Sequence, residues 1–427
     1  MKVAILTMFG DLDTTYSLVN VVAEQLRMLL DADIPVKLLV CEGCPQSSRY
    51  GIYSDKRIEW VEVCNSIHGK QIQWFDYDKA SGEVHDTFYE EADAIASDMV
   101  EKLSDVDICI MHDILYQGWH LIHNVAVRKA KEQLPDIKFI SFSHSAPVNR
   151  PQKPQWPFSA RFSSMPDTIF ISFTYAGISA LAKQYDVPEG RCRVICNSLD
   201  LLSHMSDDVR AVSNQFDLFS PDVLIVYPGR LTQGKKFDKV AAFAGAMAKK
   251  TERRVKVIFC DFPSNDINPL VYKAAVKLIG LRSGLEEGDL AFTSDLGYPN
   301  SFPRKGVLEL FTLSNLFVSP SYSEAFPLTV LEAASRGNFL VLNQAVPALE
   351  EIGKCLNAYF MRWDARNFGF DTKETYQPSE QSYYEEHAEI VLRMMRENAV
   401  ICSKTMVRQR YNPKWIWKNQ FEPLLEI

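Results

Sequence analysis

Apolar residues in this chain fall in short runs, each followed by a polar turn and then by a stretch whose apolar positions return at helical spacing. Residues 2–7 (Lys-Val-Ala-Ile-Leu-Thr) form the first run. A polar loop, Gly10 to Thr15, leads into a helical pattern running to about residue 30, with Leu18, Val21, Val22, Leu26, Met28 and Leu29 mostly on one face. Residues 36–40 are the next buried run. Strand, helix, strand at this spacing is a βαβ unit, which predicts a parallel sheet with helices on both faces. Strand-like pieces follow at 57–63 and 71–76, then a helix at 89–103. Further runs at 108–111, 137–142, 168–173 and 193–196, with a helix at 176–185, continue the series.

A second series begins at 223–227. Strands are expected at 255–260, 290–293, 316–319 and 339–342, alternating with a helix to about residue 249 and helices at 269–281 and 305–314. Residues 201 to about 220 are polar, rich in Asp and Ser, and read as the connection between the two series. After Ser319-Pro320-Ser321 the pattern predicts a helix with Pro327 as its first residue, where a missing N–H costs little, and with Gly337 as its stop. A final helix at 382–397 precedes a bend at Asn412-Pro413. The tail carries Trp415, Trp417, Phe421 and two leucines, which a free tail would not expose, so it is expected to pack back on the first domain. The expected architecture is α/β, with Rossmann-like doubly wound domains at 1–203 and 204–405 and a returning helix at 406–427.

Length agrees, since 427 residues exceed what one core usually supports. Composition is that of an ordinary globular protein, 47% apolar and 23% charged. A net charge of −8 gives no global attraction to nucleic acid or anionic membrane. No window approaches the roughly 20 apolar residues of a bilayer span, and the first apolar run is too short for a signal peptide. A cytoplasmic location and no stable membrane insertion are expected. Nine cysteines scattered along the chain do not resemble a disulfide framework. Cys41 and Cys44, followed by Cys64 and His68, could supply a structural zinc site, although one Cys-x-x-Cys without a second tight pair is a weak signal.

Candidate chemistry gathers where strands end. Arg230 and Lys235, five residues apart on a Gly-containing loop, can both reach one diphosphate, Arg as a fork and Lys as a point charge. A helix start after residue 326 suits a phosphate, with Glu324 before it and Glu332 within it as acceptors for sugar hydroxyls. His112-Asp113 and His144 follow two strands of the first series, where ligands bind in open α/β sheets. Between Pro147 and Phe162, four early prolines forbid regular structure. There Arg150, Lys153 and Arg161 interleave with Trp156, Phe158 and Phe162, either as an acceptor loop or as an ordered crossover.

Pro228-Gly229-Arg230-Leu231 with Gly234-Lys235, taken with Ser319-Pro320-Ser321 and Glu324-x7-Glu332-Ala333, resembles the retaining glycosyltransferases of the GT-B fold, in particular family 4. Val194-Ile195-Cys196-Asn197-Ser198-Leu199-Asp200 is similar to the segment closing the N-terminal domain of that family. Pro347-Ala348-Leu349-Glu350-Glu351-Ile352 is similar to the segment after its acidic motif. Likeness is strong from about 190 to 360 and weaker before.

The resemblance implies two domains facing a central cleft and a nucleoside diphosphate sugar as donor, with no required cofactor and no catalytic metal. It implies that Arg230 and Lys235 hold the diphosphate and that Glu332 accepts from ribose. Glu324 would bind the donor sugar, with backbone of Gly10, Gly229, Ala325, Phe326 and Leu328 close to the donor. His144 would lie near the reacting sugar, and His112, Asp113, Arg150, Lys153 and Trp156 on the acceptor side. The implied mechanism is front-face transfer with retention, the leaving phosphate helping to deprotonate the acceptor. The chain departs from the family pattern in lacking the Gly-Gly pair after the first strand, where only Gly10 remains. Ala325 and Pro327 also replace glycines, and Ser198 stands where glycine is common. The acceptor, whether a saccharide, another small molecule or a modified DNA base, is left open. An idle nucleotide-binding scaffold is the reading from another class.

Overall fold

The computed structural model describes residues 1–75, 77, 82–145, 155–251, 253–363 and 380–426. The chain divides into two compact units, one formed by Met1–Ser198 with Pro413–Ile427, the other by Leu199–Asn412.

The first unit is built on β1 (Val3–Leu6), β2 (Val36–Cys41) and β3 (Ile58–Val63), a small hairpin of β4 (Ser66–Ile67) and β5 (Lys70–Gln71), then β6 (Ile108–His112), β7 (Lys138–Phe142), β8 (Ile169–Ser172) and β9 (Cys192–Val194). All but the hairpin form one parallel sheet in the order β3-β2-β1-β6-β7-β8-β9. Val3 pairs with Val36 on one side and Ile108 on the other, so β1 is central and buried on both faces. Its unbroken apolar run is what that position demands.

The second unit has β10 (Val223–Arg230), β11 (Val255–Phe262), β12 (Leu290–Phe292), β13 (Leu316–Ser319), β14 (Phe339–Asn343) and β15 (Tyr359–Met361), parallel in the order β12-β11-β10-β13-β14-β15. Both sheets are therefore Rossmann-like, winding outward from a first strand and then reversing. The reversal lies between β1 and β6 in one unit and between β10 and β13 in the other. At such switch points the loops after the carboxyl ends diverge and leave a crevice.

Several expectations are corrected. The stretch 201–220 is not a bare linker: a helix at Asp207–Gln215 buries Val209 and Val212, and Phe216 and Leu218 join the core of the second unit. The strand expected at 71–76 is reduced to the two-residue β5, and residue 76 lies outside the described residues. Helices at Leu121–Gln133 and Ala399–Arg410 carry no assignment from the pattern. The unit boundaries fall at 198/199 and 412/413 rather than 203/204 and 405/406, because Arg408 on the second of these helices is tied to carbonyls of residues 218, 219 and 221.

The tail packs on the first unit, where Ile416, Phe421, Leu424 and Leu425 share a core with Val3, Ile5 and Phe142. Lys138 Nζ donates to the Leu424 carbonyl at 3.0 Å, and Gln420 Oε1 accepts from the Cys196 N–H at 2.7 Å. Among the described residues no helix is long and apolar enough to cross a membrane.

Candidate functional site

In the second unit the cation loop leaves β10 at the switch point. Tyr227, buried near the end of that strand, donates its hydroxyl to the Lys235 carbonyl at 2.7 Å. The Tyr322 N–H, from the loop after β13, donates to the Gly234 carbonyl at 3.2 Å. These two bonds pin a one-turn 3-10 helix at Gln233–Lys235. Lys236 then takes a left-handed conformation (φ 53°) that turns the chain into the helix Phe237–Thr251, its ammonium 4.2 Å from the Tyr322 ring centre. Gly229 lies under this turn, and a Cβ there would stand 3.6 Å from the Phe237 ring and 3.8 Å from Lys235 Cγ.

The consequence is that the Lys235 ammonium pairs with the Glu324 carboxylate, joining the loops on the two sides of the switch point. Arg230 is exposed at the end of β10. Asn343, which the sequence reading did not single out, holds this end of the sheet. Its amide donates to the Ser321 carbonyl (3.1 Å), while its oxygen accepts from the N–H groups of Ala345 and Trp363 (both 3.0 Å). A buried Asn at the end of a strand is a recognisable signal only once its three neighbours are known.

The helix after the acidic loop starts at Leu328, so Pro327 occupies the capping position (φ −83°, ψ 85°) rather than the first helical one. Its carbonyl accepts from Val330, and the Leu328 N–H is used on the Phe326 carbonyl at 3.0 Å. That N–H is therefore spent within the loop instead of being free for a donor. Phe326 is 63% exposed, an unusual position for a large ring. Glu332 accepts from Arg304 at 3.0 Å (Nε) and 2.6 Å (Nη2), both bonds ending on Oε1. Arg304, 28 residues upstream, gave no sign in the sequence.

In the first unit, His112, Asp113 and His144 meet at the ends of β6 and β7. His112 is fully buried, its Nε2 2.9 Å from Gln25 Oε1 and its Nδ1 2.8 Å from His144 Nε2. With the Gln25 oxygen accepting, His112 Nδ1 accepts from His144 Nε2–H, a chain of neutral rings. Burial holds His144 down to about 4 and His112 well below its ordinary range. Asp113 has a left-handed backbone (φ 60°), and its Oδ1 accepts the His144 N–H at 2.7 Å.

Burial pushes the Asp113 carboxyl up to about 6. A carboxyl whose folded pKa exceeds its unfolded value binds its proton more tightly in the fold. Stability is therefore lost as pH rises from about 4 to about 6, and the full cost remains above that. Asp113→Asn keeps the acceptor for His144 and removes the charge. The stability of this variant relative to wild type should rise by roughly 2–3 kcal/mol between pH 4 and pH 7. Urea unfolding at the two pH values measures this, and a pH-independent difference would contradict it.

Other expected residues are placed elsewhere. Trp156 is exposed, whereas Arg150 and Lys153 lie outside the described residues. Arg161 is not part of a basic surface: it is buried, and its Nε donates to the Tyr116 carbonyl at 2.8 Å, with Phe158 and Phe162 in the core. Cys41, Cys44, Cys64 and His68 do not gather as a zinc site. Burial pushes the Cys41 thiol up to about 12. Cys64 is engaged with the Ser66 carbonyl (3.1 Å) and His68 with Glu90 (2.7 Å). Among the described residues no group of three His, Cys, Asp or Glu could hold a metal ion.

Gly10 lines a cavity of about 1030 Å³ contained within the first unit, together with Asp113, Gln117 and residues of the loops after β1, β2 and β3. Gly10 and Asp113 stand out in the sequence, whereas the rest of this wall does not.

No family model matches the sequence, and no curated protein does. Solved structures similar to the chain include Anabaena Alr3699/HepE in complex with UDP and glucose, at 14% identity and a TM-score of 0.38, covering all of both chains. The lipopolysaccharide outer core galactosyltransferase WaaB in its apo form has 12% identity and a TM-score of 0.38, over 100% of this chain and 99% of that one. Trehalose-6-phosphate synthase OtsA has 10% identity and a TM-score of 0.39 over the same shares.

Proposed function

We propose that this protein is a glycosyltransferase of the GT-B type, moving a sugar from a nucleoside diphosphate donor to an acceptor hydroxyl with retention of anomeric configuration. The observation that carries the reading is the meeting of Lys235 and Glu324, 89 residues apart in the chain, beside the exposed Arg230 at a topological switch point. These are the residues on which the motif resemblance rests, and the parallel sheet brings them together.

In this reading Arg230 grips the diphosphate as a fork. Lys235, with three N–H donors, reaches a phosphate oxygen while keeping Glu324. The pair then stabilises the charge that develops on the leaving nucleoside diphosphate. Glu324 accepts from hydroxyls of the transferred sugar, and Glu332, held through Oε1 by Arg304, offers Oε2 to the ribose. Two carboxylates so occupied bind rather than attack, and the leaving phosphate takes the acceptor proton.

A thermal-shift screen with UDP, GDP and ADP tests the nucleotide site, since a ligand at 100 times its Kd stabilises by about 2.7 kcal/mol. One of the three is expected to shift the melting temperature, and its sugar conjugate is expected to be hydrolysed slowly without acceptor. Glu324→Ala should abolish that hydrolysis while keeping the nucleotide shift. No shift with any of the three would overturn the site. A shift without turnover of any UDP-, GDP- or ADP-sugar would leave a binding scaffold instead of an enzyme.

A further inference from the structure

The cavity in the first unit carries chemistry that the motifs do not account for. Asn65 lines it and is 1% exposed, yet neither Oδ1 nor Nδ2 of its side chain has a hydrogen-bond partner among the described residues. Leaving both ends of a buried amide unsatisfied costs a few kcal/mol, so the pair calls for a group that both donates and accepts. His120, on the same wall, has an unpartnered buried Nδ1, and burial holds the ring down to about 4, so it faces the cavity neutral.

The aromatic residues are set as platforms. Trp74 stacks on His123 with ring centres 4.8 Å apart and 22° between planes, and it meets His120 edge-on at 5.2 Å. It is thus backed by rings on one side while remaining partly exposed where it lines the cavity. Trp119 is half exposed on the same wall. Asp11, Glu42 and Asp113 also line the cavity, and among the described lining residues there is neither Lys nor Arg. Acids without cations repel phosphate and accept hydroxyls, and like-charge contact costs a polyanion several kcal/mol.

We propose that this cavity binds a neutral polyhydroxylated ligand, a saccharide, through the Asn65 amide, the acidic wall and the faces of Trp74 and Trp119, and that it rejects phosphorylated sugars and nucleic acid. Hydroxyl groups both donate and accept, as Asn65 requires, and the apolar face of a pyranose matches an exposed indole. The volume stands at the upper end of small-molecule sites, roughly 300–1,000 Å³, so a disaccharide or larger glycan end fits better than one ring. That this saccharide is the acceptor rests on the glycosyl-transfer reading above; the binding itself does not.

Saturation-transfer NMR and intrinsic tryptophan fluorescence on the full chain, without nucleotide, provide the test. The probes are methyl glucoside, methyl galactoside, maltose, lactose, glucose 6-phosphate and a thymidine oligonucleotide. At least one neutral saccharide is expected to bind, with glucose 6-phosphate and the oligonucleotide silent. Trp119→Ala, at an exposed position that leaves the fold intact, should weaken that binding at least about tenfold, and Asn65→Ala by a similar factor. Neither variant should alter the nucleotide shift. Binding of the oligonucleotide or the phosphorylated sugar at this wall, silence of every neutral probe, or an unaffected Trp119→Ala would overturn the proposal. Failure of the nucleotide screen with saccharide binding intact would remove the transfer reading and leave this one standing.

Discussion

Lys235→Ala is expected to fold normally and to lose about two to three orders of magnitude in kcat, the cost of removing one preorganised charge from a developing oxyanion. Its stability should scarcely move, since Lys235 and Glu324 are both partly open to solvent and such a pair contributes about 1 kcal/mol or less. Lys235→Arg should recover only part of the rate, because a planar fork cannot keep Glu324 and reach the phosphate as a compact ammonium does. Initial rates with the donor found in the nucleotide screen, alongside urea unfolding, separate the two effects. Unchanged kinetics in Lys235→Ala would refute the diphosphate assignment.

The second large effect is on the fold. Arg408 is 1% exposed, and its guanidinium donates to the carbonyls of Leu218 (2.9 Å), Phe219 (3.0 Å) and Pro221 (2.6 Å). Burial lowers its pKa to about 10, which still leaves it charged at neutral pH. Arg408→Met fills much of the space but strands three carbonyls, and it should cost roughly 3–5 kcal/mol. The loss should appear in urea unfolding while saccharide binding by the first unit persists in the folded protein. A loss below about 1 kcal/mol would mean that water replaces the guanidinium at no penalty.

The sheets were legible because a strand covered on both faces must be apolar throughout, and runs such as 316–319 and 223–227 permit no other reading. Elements with polar residues inside were harder to find. The helix Leu121–Gln133 buries His123, Asn124 and Lys131, which interrupt its apolar stripe, so helical periodicity does not show. Asp207–Gln215 buries only two large apolar side chains, Val209 and Val212, in a stretch whose composition is that of a linker.

The pairing of Lys235 with Glu324 links two motifs that the sequence shows separately, and the parallel sheet brings residues so far apart together. The cavity was not legible. Asn65, Trp74, Trp119 and Glu42 come from separate loops, none is distinctive by itself, and their common wall exists only after β1, β2, β3 and β6 are side by side. Net charge pointed the same way with less force. A total of −8 argues weakly against anionic ligands for the protein as a whole, whereas the placement of Asp11, Glu42 and Asp113 argues strongly against them at one wall.

Residues Pro413–Ile427 close the core of the first unit from beyond the second. In chain order the second unit is thus an insertion, and synthesis delivers all of it before Ile416, Phe421, Leu424 and Leu425 emerge. During that interval the nascent first unit lacks the part of its core that these residues supply, including the Phe421 ring that meets Phe142 at 6.5 Å between centres, while the second can already complete its own core. The half that begins first on the ribosome is the half that finishes last. A chain stopped after residue 412 would have one finished unit and one still open.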